Sequence, residues 1–235
     1  MLSVIVYSLL AGLSIPLGAW IARLNLVMSR WRELELRHTI VAFGAGALLS
    51  AVALVLMPEG IAAVSPWTAL IALGIGAAVM RWVDAALARS GSQRAQFLAM
   101  LSDFVPEAIA MGALFALNPQ SAPLLALLIA LQNVPEAFNA YHEAADNPGG
   151  DRDRLIRNFA LLALVGPACA LAGYFFLSGQ PAVTGAMMCA AAGGILFLVF
   201  QDIAPQVKLA HSDWPPLGAV AGFALGLAGK LFLPG

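Results

Sequence analysis

The chain has 235 residues, of which 61% are hydrophobic and 11% are charged, and its formal net charge is -1. Soluble domains carry roughly 25% charged residues, so this composition excludes an ordinary soluble fold and indicates an integral membrane protein. No basic run suggests a nucleic-acid partner, and the two cysteines, Cys169 and Cys189, lie in apolar stretches that give no disulfide framework.

Apolar runs long enough to cross a bilayer, about 20 residues each, follow one another along the chain. The runs predict eight transmembrane helices, at about 2–22, 39–57, 67–88, 96–117, 122–142, 157–178, 183–204 and 217–233. Turn residues occupy the breaks, as in MPEG, LNPQSAP, DNPGGD, SGQP and SDWPP. Because irregular backbone cannot face lipid, residues 1–235 are predicted to form a single all-α transmembrane domain. The first run has no basic residues before it and is interpreted as a retained span rather than a cleaved signal peptide.

Lys and Arg residues are distributed unequally between the loops that join these spans. Ten of the twelve lie in odd-numbered loops: Arg23, Arg30, Arg32, Arg37, Arg89, Arg94, Arg152, Arg154, Arg157 and Lys208. The second, fourth and sixth loops contain none. The positive-inside rule then places the odd-numbered loops in the cytoplasm and both termini outside, which is the periplasm for a bacterial inner membrane.

Two similar segments, DFVPEAIAMG and QNVPEAFNAY, place polar residues at the middle of the fourth and fifth spans. Asp103 and Glu107 are four residues apart and share a helical face, and Gln132 stands in the same relation to Glu136. The two spans run antiparallel, so their polar residues meet at similar depth. The three carboxylates are therefore predicted to form one pocket together with the amides of Gln132 and Asn133.

The prolines of the two segments predict a widened gap between these spans. Pro106 and Pro135 lack an N–H, which leaves the carbonyls of Ser102 and Leu131 without their helical donors and open to a cation. Three carboxylates in a medium of low dielectric repel each other unless a cation or protons neutralise them. A metal ion is the simplest occupant. The alternative is a polar network of protonated acids that only holds two helices together.

These paired segments resemble the metal-binding motifs of the Zrt/Irt-like (ZIP) metal transporter family, which typically read HNxPEG on the fourth helix and HNxPEG or QDxPEG on the fifth. AFGAGALLSAVALVLMPEG, GGILFLVFQDIAPQ and GFALGLAGKLFL look like the family's second, seventh and eighth helices, so the resemblance covers the whole chain. It implies a ZIP-like bundle with eight helices and both termini outside. It also implies metal ligands at Glu107, Gln132 and Glu136, with Asp103 where the family usually has His and Asn133 where Asn or Asp is common.

The chain departs from the family pattern at several positions. Phe104 stands where the family usually has Asn, and Gly166-Pro167 stands where its sixth helix often has Glu before proline. Two ligands of a second metal ion are therefore missing, and one ion per chain is expected. Gln201-Asp202 occupies the place where family members often have two glutamates.

The cytoplasmic end of the fifth span carries two further candidates. His142 and Glu143 could act as exit-path ligands below the pocket. The alternative is a solvated helix end, where a histidine is favoured by the helix dipole.

The resemblance implies a transporter that moves divalent metal ions of the zinc, manganese or iron class into the cytoplasm. The metal ion is then the substrate, no organic cofactor is expected, and the partners are the lipid bilayer and a second copy in a homodimer. Two alternatives stay open. A ZIP-like sensor would bind metal without transporting it. An intramembrane metalloenzyme would need a water-activating metal with a base, and no HExxH or paired His-acid motif lies in any span, so enzymatic activity is not expected.

Overall fold

The computed structural model describes residues 1–24, 30–90, 93–145 and 152–233, and these ranges are helical without a strand. The all-α prediction is thus confirmed for the described part of the chain. The helices are α1 (Leu2–Arg23), α2 (Arg30–Ala51), a first π-helical turn (Val52–Leu56), α3 (Met57–Ala63), α4 (Pro66–Ser90), α5 (Gln93–Leu117), α6 (Ala122–Ala145), α7 (Arg152–Leu162), α8 (Val165–Leu177), α9 (Pro181–Leu198), a second π-helical turn (Val199–Ile203), α10 (Ala204–Gln206) and α11 (Trp214–Phe232).

Seven helical stretches of the described residues are long and apolar enough to cross a membrane, as an integral membrane protein requires. They are Leu2–Arg23, Leu34–Ala63, Pro66–Arg89, Met100–Leu117, Asp153–Leu177, Pro181–Gln206 and Trp214–Phe232. The predicted fifth span, α6, is not among them. It carries Gln132, Asn133, Glu136 and Asn139, whose polarity lowers its mean hydropathy. It packs against α1, α2 and α5, so these polar residues lie among helices.

The MPEG segment does not end the second span, which corrects the predicted boundary at residue 57. The helix continues through the first π-helical turn and α3 to Ala63. The backbone N–H of Met57 donates to Val52 O, five residues back, so the turn is wider than an α-helical one. The missing N–H and the ring of Pro58 are accommodated just after this wider turn, and the helix continues.

The seventh predicted span ends in the same way. The N–H of Ala204 donates to Val199 O across the second π-helical turn, immediately before Pro205. The helix therefore reaches Gln206 rather than residue 204. Both π-helical turns precede a proline in the sequence. The same local feature, a wider turn just before a proline, therefore explains both corrected boundaries.

The sixth predicted span is interrupted between Leu162 and Val165, where α7 ends and α8 begins. Pro167 is the third residue of α8, and a proline ring at that position clashes with the helical carbonyl four residues earlier, at Ala163. The interruption packs against α1, because a Cβ placed on Gly12 would lie only 2.5 Å from Ala163 O. The predicted single helix at 157–178 is therefore two helices.

Close helix pairs build the bundle. α1 packs on α6, α2 on α11, α4 on α9, and α5 on α8. In three of these pairs a glycine on each helix faces the backbone of its partner, so that a Cβ at any of these glycines would collide with it: Gly46 and Gly222, Gly76 and Gly193, Gly112 and Gly173. Helix association in lipid depends on such close packing, since there is no hydrophobic driving force between helices.

Gly112→Ala is expected to lower the free energy of unfolding in detergent by at least about 2 kcal/mol, because overpacking displaces backbone. The new Cβ would fall on the carbonyl oxygen of Ala170. Gly74→Ala is the matched control, since a Cβ on Gly74 meets nothing within 4 Å. It should stabilise α4 by up to about 1 kcal/mol through helix propensity. Thermal unfolding followed by circular dichroism measures both, and equal effects of the two variants would contradict the packing argument.

One end of the bundle collects residues that belong to odd-numbered loops. Arg23 at the end of α1 forms an ion pair with Asp153 at the start of α7, with Nη1 and Oδ1 2.6 Å apart. Ser212, in the loop before α11, donates its hydroxyl to Glu35 Oε1 near the start of α2 at 2.5 Å. The described residues beside the first, fifth and seventh loops therefore lie at the same end, as the alternating path of the chain requires.

Candidate metal centre

α5 and α6 meet at a buried hydrogen bond between two of the predicted site residues. Gln132 Nε2 donates to Glu107 Oε1 at 2.5 Å and to Oε2 at 2.6 Å. Both side chains are buried, with Glu107 2% and Gln132 0% exposed. The structure thus brings together one residue of each Pro-Glu segment, as the sequence predicts.

The other two predicted carboxylates line a common cavity. Asp103 of α5 and Glu136 of α6 border a space of about 170 Å³, together with Asn139 and Asp202. Glu136 lies within electrostatic range of both Asp103 and Glu107, and Asp103 lies within range of Glu107 and Asp202. The three predicted carboxylates therefore form one cluster, and Asp202 from the second π-helical turn adjoins it.

Three side-chain oxygens of this cluster are buried without a hydrogen-bond partner in the part of the chain that the structure describes. They are Asp103 Oδ1, Gln132 Oε1 and Glu136 Oε1. A buried acceptor that lacks a donor costs about 1–3 kcal/mol, and more when the group is charged. All three atoms are acceptors, and a cation satisfies acceptor oxygens. The donor set consists of oxygen atoms, which suits hard divalent ions.

A second cavity reaches the cluster from the side of α4 and α9. It measures about 330 Å³ and is bordered by Asp103, Glu107, Ser102 and Pro106 of α5. Its remaining lining is apolar except for backbone. Asp103 borders both cavities and so stands between them.

Not every predicted site residue points into the cluster. Asn133 is buried against α1, where its Nδ2 donates to Ala11 O at 3.1 Å. The ring of His142 packs edge-on against Phe138, with centroids 4.7 Å apart. Phe138 borders an apolar groove between α1, α2, α6 and α11 rather than the cavity of Asp103. Glu143 belongs to α6, but its side chain lies outside the described residues.

The cluster is not a formed coordination shell. Among the described residues, no three His, Cys, Asp or Glu side chains are placed so that they could hold one metal ion. The amide of Gln132 presents its nitrogen, not its oxygen, to Glu107. A cation bound to Glu107 would require this amide to rotate by half a turn, which would bring the unpartnered Oε1 to the ion.

Phe104 and Gly166, which the sequence resemblance aligns with ligands of a second metal ion, lie against each other. Phe104 is 2% exposed, and a Cβ placed on Gly166 would lie 2.8 Å from its Cζ. The ring of Phe104 therefore packs directly on the backbone of α8 at Gly166. These two residues are in contact with each other, and neither offers a side-chain oxygen.

Sequence reasoning left two cavity residues out of the predicted site. Asp202 lies in the segment QDIAPQ. The signal for it in the sequence is an acidic residue inside an apolar run, three residues before a proline. Asn139 is three residues after Glu136, hence on the same side of α6. Helical spacing from Glu136 could have identified Asn139, whereas the approach of Asp202 depends on tertiary packing.

Comparison with known proteins adds no assignment to this geometry. The chain matches no protein-family model, and it matches no curated protein sequence.

Proposed function

We propose that the chain is a ZIP-like transporter of divalent metal ions, of the zinc, manganese or iron class. The ion binds between α5 and α6 and crosses a bacterial inner membrane towards the cytoplasm. The metal is substrate, not a resident cofactor. The eight-span topology with both termini in the periplasm belongs to the same proposal, with α6 as the polar span.

One observation supports the proposal more than any other. Asp103, Glu107 and Glu136 lie together inside a bundle of apolar helices, and two of them have a buried oxygen without a hydrogen-bond donor. Acids inside a membrane are costly, and an intramembrane ionisable residue is by default a candidate for an ion pathway or another functional site. Cavities reach this cluster from two directions, which suits a site that ions enter and leave.

Metal uptake into proteoliposomes tests the proposal. Purified protein should accumulate Zn²⁺, Mn²⁺ or Fe²⁺ inside vesicles down an imposed gradient, and Glu136→Gln should remove that flux. Binding without flux would favour a ZIP-like sensor. If the protein shows neither metal binding nor metal flux, the acids form only a polar network between helices. Asp213→Asn is the matched control, because Asp213 is an exposed carboxylate in the loop before α11.

The orientation in the membrane gives a separate prediction. Cysteine introduced in the loop 146–151 should not react with an impermeant thiol reagent added to intact cells, because this loop belongs to the basic, cytoplasmic end. A cysteine at Gly179, in the loop between α8 and α9, should react readily. Gly179 is exposed, and a Cβ there meets nothing within 4 Å. The reverse pattern of labelling would invert the proposed topology.

A further inference from the structure

The segment formed by α2, the first π-helical turn and α3 contacts the α5–α6 hairpin at three levels. At one end Glu59 Oε1 accepts hydrogen bonds from Asn118 Nδ2 at 2.9 Å and from Ser121 Oγ at 2.6 Å. At mid-height α2 comes close to α6 at Pro135, since a Cβ on Gly44 would lie 2.9 Å from Pro135 Cβ. This middle contact is apolar, whereas the contact at Glu59 is polar.

The third contact lies at the end of the bundle that carries the basic loops. Arg37 Nε donates to Asn139 Oδ1 at 3.0 Å and so joins α2 to α6. Asn139 and Val41 border the carboxylate cavity that contains Asp103 and Glu136. The same two residues also border a third cavity, of about 290 Å³, which is lined by Arg37 itself. This third cavity is called the outer space.

The hydrogen bond between Arg37 and Asn139 therefore stands where the carboxylate cavity adjoins the outer space. We propose that this hydrogen bond is the gate of the metal pathway at the basic end. Breaking it joins the carboxylate cavity and the outer space into one exit. This inference rests on the proposed transport function, because it names the residues that control one side of the same site.

The chemistry of the pair suits a gate for cations. The guanidinium of Arg37 is a cation and repels a divalent cation that approaches it from the carboxylate cavity. While Arg37 is held against Asn139, the passage is narrow and carries a positive charge. When the bond breaks, the long side chain can turn away, and the passage then leads from the carboxylates past the amide of Asn139.

The gate can be tested through access to the cavity, without any metal. Leu198 borders the carboxylate cavity, so Leu198→Cys in a Cys169→Ala, Cys189→Ala background reports whether a water-soluble thiol reagent can enter. The reagent is added from the side that labels Lys208→Cys, because Lys208 is exposed and adjoins Val207, which borders the outer space.

Loss of either gate partner should raise the rate of labelling at position 198. Loss of a hydrogen bond to a charged group changes the population of the open state roughly tenfold. Arg37→Gln and Asn139→Ala should therefore each increase the rate of labelling at position 198 about tenfold. The double variant should add little to either single variant, because both remove the same bond. Asn139→Asp should lower the rate below that of the parent, since a carboxylate strengthens the bond to Arg37.

Glu59→Ala is the matched control, because it breaks the other polar contact between the same two segments at the opposite end. It should not raise labelling from the basic side. Labelling that is unchanged in Asn139→Ala, or raised as much by Glu59→Ala, would overturn the gate. Thermal unfolding of each variant separates a misfolded protein from an opened one, and Asn139→Asp keeps an acceptor oxygen for Arg37 Nε. If the labelling pattern holds while proteoliposomes take up no metal, the transport proposal fails and the gated cavity stands.

Discussion

Replacing Glu136 by alanine is expected to weaken metal binding by more than about 100-fold. Loss of a residue that only hydrogen-bonds to a metal ligand already lowers metal affinity by about 10–100-fold. Glu107→Ala should have an effect of the same size. Both changes remove a carboxylate from the cluster that Asp103 completes, and among the described residues no His or Cys lines either of the two cavities that Asp103 borders. Titration calorimetry with Mn²⁺ and Zn²⁺ on the purified protein measures the loss directly.

The controls for this prediction separate ligand loss from damage to the fold. Asp213→Asn removes an exposed carboxylate and should leave the affinity unchanged. Gln132→Ala should weaken binding less than loss of either glutamate, since it removes a neutral oxygen. Metal affinity that persists in the Glu107→Ala, Glu136→Ala double variant would eliminate the site between α5 and α6 altogether.

The sequence predicted the apolar helices well, because a bilayer requires long apolar runs and their composition is visible without a structure. It failed where the backbone geometry was unusual. Pro58 and Pro205 looked like helix ends, yet each follows a π-helical turn that lets the helix continue. The predicted span 157–178 contains Pro167, and the structure has a break between α7 and α8 just before this proline.

The candidate site was predictable in its carboxylates but not in the direction of each amide. Gln132 and Asn133 are consecutive, and consecutive residues on an α-helix with 3.6 residues per turn point about 100° apart. Two residues at that angle need not face the same pocket, and the structure turns Gln132 to Glu107 and Asn133 to α1. Which of the two faces inward depends on where α1 packs, and no local pattern in the sequence contains that information.

Replacing Asp103 by histidine is expected to shift metal preference towards Zn²⁺ by at least about tenfold relative to Mn²⁺. Changes around a metal ligand alter metal affinity by about this factor or more. Imidazole nitrogen suits Zn²⁺, whereas carboxylate and amide oxygens suit harder ions such as Mn²⁺. Asp103 borders both cavities that reach the cluster, so its side chain is placed to meet the ion from either direction. Competitive uptake of the two metals into proteoliposomes measures the ratio.

The same experiment at two pH values tests whether the carboxylates themselves bind the ion. Protons compete with metal for ligand oxygens and for imidazole, so uptake by the parent and by Asp103→His should fall as the pH is lowered below neutral. Asp103→Asn serves as the matched control, because it keeps the shape and an oxygen but removes the charge. It should lower the uptake of both metals without favouring Zn²⁺. If the parent already prefers Zn²⁺ as strongly as the histidine variant, and pH changes neither, Asp103 does not contact the ion and selectivity is determined at another position along the pathway.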